Sequence, residues 1–118
     1  MKLIIAVLSC ALSISAFAES PQFDKKALCR DIGTAFESAA YYRDRGSNPE
    51  WTFETISYTY ISATDGTSKS GITTELIKSA INLVYFNPGF TNARGHSFAF
   101  QMEGDCMRDG KPQFQPLK

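Results

Sequence analysis

The chain holds one histidine, His96, so a serine–histidine–aspartate or cysteine–histidine site would have to use this side chain. Metal sites built on paired histidines are excluded. His96 follows Gly95 in a stretch of small and polar residues, which favours a surface position over a catalytic one. Histidine titrates near neutral pH, and the functional alternative is therefore a pH-sensitive contact.

The acidic residues offer two weaker chemical patterns. Glu50 and Glu54 lie one helical turn apart, as carboxylates for acid–base catalysis would, but this spacing is common on a solvated helix face, which we favour. Asp65-Gly66-Thr67 matches part of a calcium loop whose other ligands are missing. No phosphate-binding glycine loop or nucleophile elbow occurs. We therefore predict a protein that is not an enzyme and that uses no cofactor and no metal.

The first 18 residues have the features of an export signal. Lys2 precedes an apolar run at 3–14, and Ala16-Phe17-Ala18 fits the small-x-small rule for signal peptidase. The run is shorter than the roughly 20 apolar residues of a membrane anchor. A lipoprotein signal ending at Cys10 is a less favoured alternative, because only about five apolar residues would precede the cysteine. We expect cleavage after Ala18 and a periplasmic protein, with secretion from the cell as the second choice.

The predicted mature chain fits one small domain. Removal of 18 residues from 118 leaves 100, and the loss of Lys2 leaves 11 basic against 12 acidic side chains. A net charge near −1 with interspersed signs gives no electrostatic reason to bind nucleic acid or anionic lipid. We predict a helical domain over 19–107 and a tail over 108–118 that contains Pro112 and Pro116.

Two cysteines, Cys29 and Cys106, remain after the predicted cleavage. In an oxidising compartment such a pair is expected to form one disulfide. A reactive dithiol normally has Cys-x-x-Cys spacing, which is absent here, so we predict a structural bridge. The sequence leaves open whether it joins residues of one chain or of two copies in a homodimer.

Helical periodicity dominates the chain, and we expect the stretch 27–46 to be the element around which the rest folds. It should begin at a cap on Ser20 or Asp24 and end at Gly46. Small residues in it would let a neighbouring helix approach closely: Gly33, Ala35, Ala39 and Ala40. Its apolar positions recur every three or four residues: Leu28, Ile32, Ala35, Phe36, Ala39 and Tyr42.

Three further segments complete the predicted fold. Residues 72–84 have the clearest amphipathic pattern and end before Asn87-Pro88-Gly89. Segments 51–63 and 90–107 mix helical spacing with strand-like alternation. We prefer helix for both, on the Asn48-Pro49 start signal for the first, and on a Thr91 cap and the lack of a partner strand for the second. With 64–71 as an exposed, mobile loop, the prediction is an all-α fold, a small bundle of three to four helices closed by one disulfide.

Aromatic residues are abundant, with nine phenylalanines, five tyrosines and one tryptophan. Most should fill the core, but there are more than one buried stripe per helix can hold. Aromatic and arginine side chains are enriched in interface hot spots, and exposed aromatic patches usually mark contact surfaces. The candidate partner-binding residues are Tyr41, Tyr42, Arg43, Trp51, Tyr58, Tyr85 and Phe86.

The order Cys29, Arg43-Asp44-x-Gly46, Val84-Tyr85-x-x-Pro88, Cys106 resembles a loose group of small exported two-cysteine proteins of Gram-negative bacteria. This resemblance implies a helical fold with a disulfide, and it implies no activity. In size, export and helical content the chain is also similar to periplasmic immunity proteins that neutralise cell-wall amidases delivered by type VI secretion. Acid-activated periplasmic chaperones are similar in size and in having two cysteines.

The sequence thus favours a non-enzymatic periplasmic module that binds another protein, as an inhibitor or immunity protein acting by steric occlusion. An acid-stress chaperone that exposes apolar surface when its carboxylates are protonated is the alternative. A small hydrolase or redox enzyme is the least favoured.

Overall fold

Residues 24–109 are described by a computed structural model, in which they form four α-helices and one short 3₁₀ helix. The helices are α1 (Lys25–Asp44), α2 (Pro49–Tyr60), α3 (Thr74–Phe86) and α4 (Gly95–Asp109), with the 3₁₀ helix at Pro88–Phe90. Within this range no strand forms, and the predicted all-α class is confirmed. The predicted signal peptide 1–18, the Ser20 cap and 110–118 lie outside the described residues.

Local signals fix both ends of α1. The Asp24 side chain accepts a hydrogen bond from the Lys26 amide and caps the first turn. At the other end Gly46 has φ +86°, and the Ser47 amide donates to the Tyr42 carbonyl at 3.0 Å. This Schellman arrangement needs the left-handed conformation that glycine adopts readily. The predicted stop at Gly46 is confirmed.

Helix α2 is set by its start signal and not by its strand-like composition. The Asn48 side chain accepts from the Trp51 amide at 2.8 Å, and Pro49 occupies the first turn. The helix ends at Tyr60, three residues before the predicted boundary, since Ile61 is extended and forms an isolated antiparallel bridge with Ser68. The loop that follows is mostly exposed, although Ser70 is buried.

Helix α4 begins at Gly95, four residues after the cap predicted at Thr91. The reason is the 3₁₀ helix, which puts the Phe90 ring in the core and uses the Thr91 hydroxyl as a donor to the Pro88 carbonyl. At its far end α4 continues to Asp109, so it includes the first two residues of the predicted tail.

The other three helices are arranged around α1. Among the described residues α1 lies against α2, α3 and α4, whereas the backbone of α4 approaches that of no other α-helix. The closest crossing is at Gly33, where an added Cβ would lie 2.5 Å from the Ala99 carbonyl oxygen. The rings of Phe36, Phe90 and Phe98 meet at the centre of the core, with centroids 5.7 to 6.2 Å apart.

The disulfide joins α1 to the last turns of α4. Cys29 and Cys106 are bonded within one chain, with Cα atoms 5.5 Å apart, and both are buried. The predicted structural bridge is therefore confirmed as intramolecular. At the other end of this antiparallel pair, an ion pair joins Asp44, the last residue of α1, to Arg94, which directly precedes α4. In the described range, no helix combines the length and the apolar character needed to cross a membrane.

Candidate protein-binding surface

Arg43, predicted to face a partner, binds three main-chain carbonyl groups of its own chain. Its guanidinium donates to Val84 at 3.0 Å, to Phe90 at 2.8 Å and to Ala93 at 3.0 Å. Val84 is in the last turn of α3, where carbonyls have no partner within the helix. The Arg43 side chain is only 15% exposed, and its positive charge is paired with the neighbouring Asp44 carboxylate. Arg43 therefore acts as a cap on α3 and on the turn that follows.

Tyr85 makes a second connection at the same end of the bundle. Its hydroxyl donates to the Ser47 carbonyl at 2.7 Å and accepts from the buried Thr52 hydroxyl at 2.7 Å. These bonds hold α3 against the turn between α1 and α2. The Arg-Asp-x-Gly and Val-Tyr-x-x-Pro motifs thus lie side by side in the fold. In each of them one side chain, Arg43 or Tyr85, holds main-chain carbonyl groups of a neighbouring segment. A partner-binding role for Arg43 and Tyr85 stays a prediction.

Three of the predicted residues, together with Arg45, form what we call the aromatic corner: Tyr41, Tyr42, Trp51 and Arg45. Tyr42 packs edge-to-face on Trp51, with ring centroids 5.1 Å apart, and on Tyr41 at 5.4 Å. The Arg45 guanidinium carbon lies 4.3 Å above the Tyr41 ring, which is a cation–π contact. Tyr42 is half-buried, while Trp51 remains 47% exposed. The corner presents fixed rings to solvent where α1 ends and α2 begins.

The remaining two, Tyr58 and Phe86, lie at opposite ends of a groove between α2 and α3. They are 75% and 67% exposed. The groove consists of two hollows. The hollow near Phe86 has a volume of ≈ 400 Å³ and the hollow near Tyr58 one of ≈ 470 Å³, and Phe53 and Glu54 line both. We call these two adjoining hollows, taken together, the α2–α3 groove. Its lining residues are Pro49, Glu50, Phe53, Glu54, Ser57, Tyr58, Ile61, Ser62, Ala63, Thr74, Lys78, Ile81, Asn82 and Phe86.

Sequence reasoning missed Arg45 and most of the groove. The signal was present in the spacing, since Lys78, Asn82 and Phe86 recur every four residues on α3 and share one face. Trp51 and Tyr58 are likewise two turns apart on the outer face of α2. Whether such a face stays exposed depends on how the helices pack, which the sequence pattern alone did not decide.

A further hollow of ≈ 630 Å³ opens beyond Tyr58, between the end of α2 and the loop. Tyr60 and Asp31 contribute to it. Burial, together with the negative charges of Asp31 and Glu37, raises the pKa of Tyr60 to about 12. In the same region hydrogen bonds from Thr67 hold the pKa of the exposed Asp65 carboxyl below its usual value.

The residues singled out for chemistry do not converge. His96 is on the surface, as predicted, and its Nδ1 lies 3.0 Å from a Glu37 carboxylate oxygen. Asp65 is engaged by the hydroxyl and amide of Thr67, which closes a turn. Between residues 24 and 109 no three histidine, cysteine, aspartate or glutamate side chains are grouped so as to hold a metal ion.

Comparisons of the chain with protein-family models, with curated proteins and with solved structures find no match.

Proposed function

We propose that this chain is an exported, non-enzymatic binding protein whose α2 side covers the surface of a partner protein. The observation that carries the proposal is the gathering of exposed rings on and beside α2. Tyr41 and Trp51 lie at its start, Phe86 beside its first turns and Tyr58 in its last turn. Large exposed aromatic side chains are the ones that supply most of the binding energy when a partner buries them.

The part of this surface at the start of α2 is held in place before any partner arrives. Trp51 is fixed by the Asn48 cap and by the Tyr42 ring, and the turn beneath it is fastened by Tyr85. Ordering side chains and loops on association costs about 0.5–1.5 kcal/mol per flexible side chain. A preorganised face avoids part of this cost, which suits a protein that acts by occupying a partner's cleft.

The setting we propose for this activity is the periplasm, where an inhibitor or immunity protein would meet its target. The predicted export signal, the disulfide and the similarity in build to periplasmic immunity proteins support that setting. The mechanism is steric, because a rigid helical face with protruding rings blocks access to whatever lies beneath it.

The proposal is tested by affinity capture from a periplasmic extract of the source organism, with the oxidised mature protein as bait. The test variant is Trp51→Ala/Tyr58→Ala. The matched control is Phe100→Ala, which removes a ring that is 71% exposed on α4, away from the α2 side. We expect one stoichiometric partner with the wild type and with the control, and about tenfold less with the test variant.

Two results would contradict the proposal. Turnover of a substrate by the purified protein without a partner would show that it is an enzyme. Alternatively, many weakly held proteins whose number grows as the pH falls to about 3 would indicate an acid-activated chaperone, because such a protein exposes apolar surface in acid.

A further inference from the structure

We propose that the α2–α3 groove receives an amphipathic helix of the partner, with lysine or arginine along the side that faces α2. This inference rests on the proposed function and adds the chemistry of the partner. It commits to a basic helical segment, and it is argued from the shape, the floor and the charges of the groove.

The shape of the groove fits a helix. It runs between two helices that are adjacent in the chain and lie side by side, and their outer faces leave a furrow in which a third helix can pack. From Pro49 to Tyr58 it extends roughly 14 Å along α2, at about 1.5 Å per residue. That length accommodates about two and a half turns of a partner helix.

The floor of the groove is apolar with one polar interruption. Phe53 is half-buried in its centre, Ile81 is buried beneath it and Phe86 stands exposed at one end. An amphipathic helix meets such a floor with side chains at positions i, i+3 or i+4, and i+7. Ser57 also lines the groove, and its buried hydroxyl has no hydrogen-bond partner in the described chain.

The charged side chains that line the groove favour a positively charged partner. Glu50 and Glu54 are both exposed on the α2 side, one turn apart, and neither has an ion-pair partner among residues 24–109. Among the described residues, Lys78 is the one cation that lines the groove, and it lies on the α3 side. Two like charges at this spacing repel each other, and a cation placed between them removes the repulsion. A partner with acidic flanks would increase it.

The test uses two synthetic helical peptides of about 18 residues that share the same leucine stripe, one with lysine and one with glutamate on its flanks. Their dissociation constants for the oxidised mature protein are measured by fluorescence anisotropy at low salt. We expect the lysine peptide to bind about tenfold more tightly than the glutamate peptide. In the Glu50→Gln/Glu54→Gln variant this difference should fall below about threefold, whereas Glu75→Gln, an exposed acid of α3 outside the groove, should preserve it.

The position of binding is tested with two phenylalanines. Phe86→Ala should weaken the lysine peptide about tenfold, and Phe100→Ala should leave its affinity unchanged. This inference would be overturned by equal affinity for the two peptides, by no binding of either, or by an affinity for the lysine peptide that Phe86→Ala leaves unchanged. If partner capture still depends on Trp51 and Tyr58 in that case, the proposed function survives and only the chemistry assigned to the groove is wrong.

Discussion

At the scale of single residues, Arg43 has the largest structural role that was not foreseen. Its side chain joins α1 to the end of α3, to the 3₁₀ helix and to the loop before α4. The planar guanidinium holds five N–H donors in a fixed fork, and the ammonium group of lysine, a point charge with three donors, does not reproduce that geometry.

We expect Arg43→Ala to lower the free energy of unfolding by about 2–4 kcal/mol, because it leaves carbonyl groups without donors in a largely buried place. Arg43→Lys should restore less than half of the loss. The control is Arg45→Ala, which removes only an exposed cation–π contact and should cost about 0.5–1 kcal/mol. Urea unfolding gives all three values, and equal losses for Arg43→Ala and Arg45→Ala would contradict the capping role.

Tyr60 gives the fold a pH dependence at the alkaline end. Its pKa is raised to about 12 in the folded chain, against about 10 when unfolded, so the folded state holds the proton more tightly. The corresponding stability is complete below pH 10 and is lost as the pH rises toward 12. Because the side chain is only partly buried, we expect a loss of about 1 kcal/mol, well below the value for a fully buried group.

The measurement compares the wild type with Tyr60→Phe, which cannot ionise, by urea unfolding at pH 9 and pH 11.5. The wild type should lose more stability over this interval than the variant. Identical pH profiles would show that the environment of Tyr60 does not favour its protonated form.

At the scale of elements, two glycines within helices have opposite roles. An added Cβ at Gly33 would press against the backbone of α4, whereas at Gly104 no atom lies within 4 Å of such a Cβ. Gly33 permits the close crossing of α1 and α4. Gly104 has no such contact in the described chain, and glycine in a helix interior is less favourable than alanine by about 0.5–1 kcal/mol.

Gly33→Ala should therefore destabilise the protein by about 2 kcal/mol, because α4 must move away from α1 and the core loosens. Gly104→Ala should stabilise it by about 0.5–1 kcal/mol. Thermal unfolding of the two variants provides the comparison. A gain in stability from Gly33→Ala would contradict the close crossing of α1 and α4 at this position.

The elements also show how far the sequence could be interpreted. The ends of α1 and the start of α2 were predictable, since Gly46 and Asn48-Pro49 act through bonds to residues within a turn. The start of α4 was not, because Phe90 enters a core built from distant segments and the 3₁₀ helix forms around it.

The candidate surface divides in the same way. Tyr42 and Trp51 lie on adjoining helix ends across a short turn, so their contact could be foreseen from the chain. The burial of Arg43 depends on carbonyl groups 41 to 50 residues away, and no local pattern reveals them.

At the scale of the whole molecule, the disulfide connects segments 77 residues apart and so constrains nearly the entire described domain. On the loop-entropy relation a closed loop of this length contributes about 4.5 kcal/mol, an upper figure. This is a large fraction of the roughly 5–15 kcal/mol that stabilises a typical domain.

We expect Cys29→Ala/Cys106→Ala to lose about 2–4.5 kcal/mol of stability, because the unfolded chain regains its freedom. Reduced and alkylated wild-type protein provides an independent comparison in urea unfolding. A stability unchanged by the removal of both cysteines would show that the helical core alone supports the fold.

The most direct test of the central claim, that the α2 side binds a protein, is a hydrogen-exchange footprint of the oxidised mature protein with and without its captured partner. We predict slower exchange in α2 and in the second half of α3 in the complex, with α4 unchanged. Protection confined to α4 around Phe100, or no protection of α2, would contradict the claim and place the binding surface elsewhere.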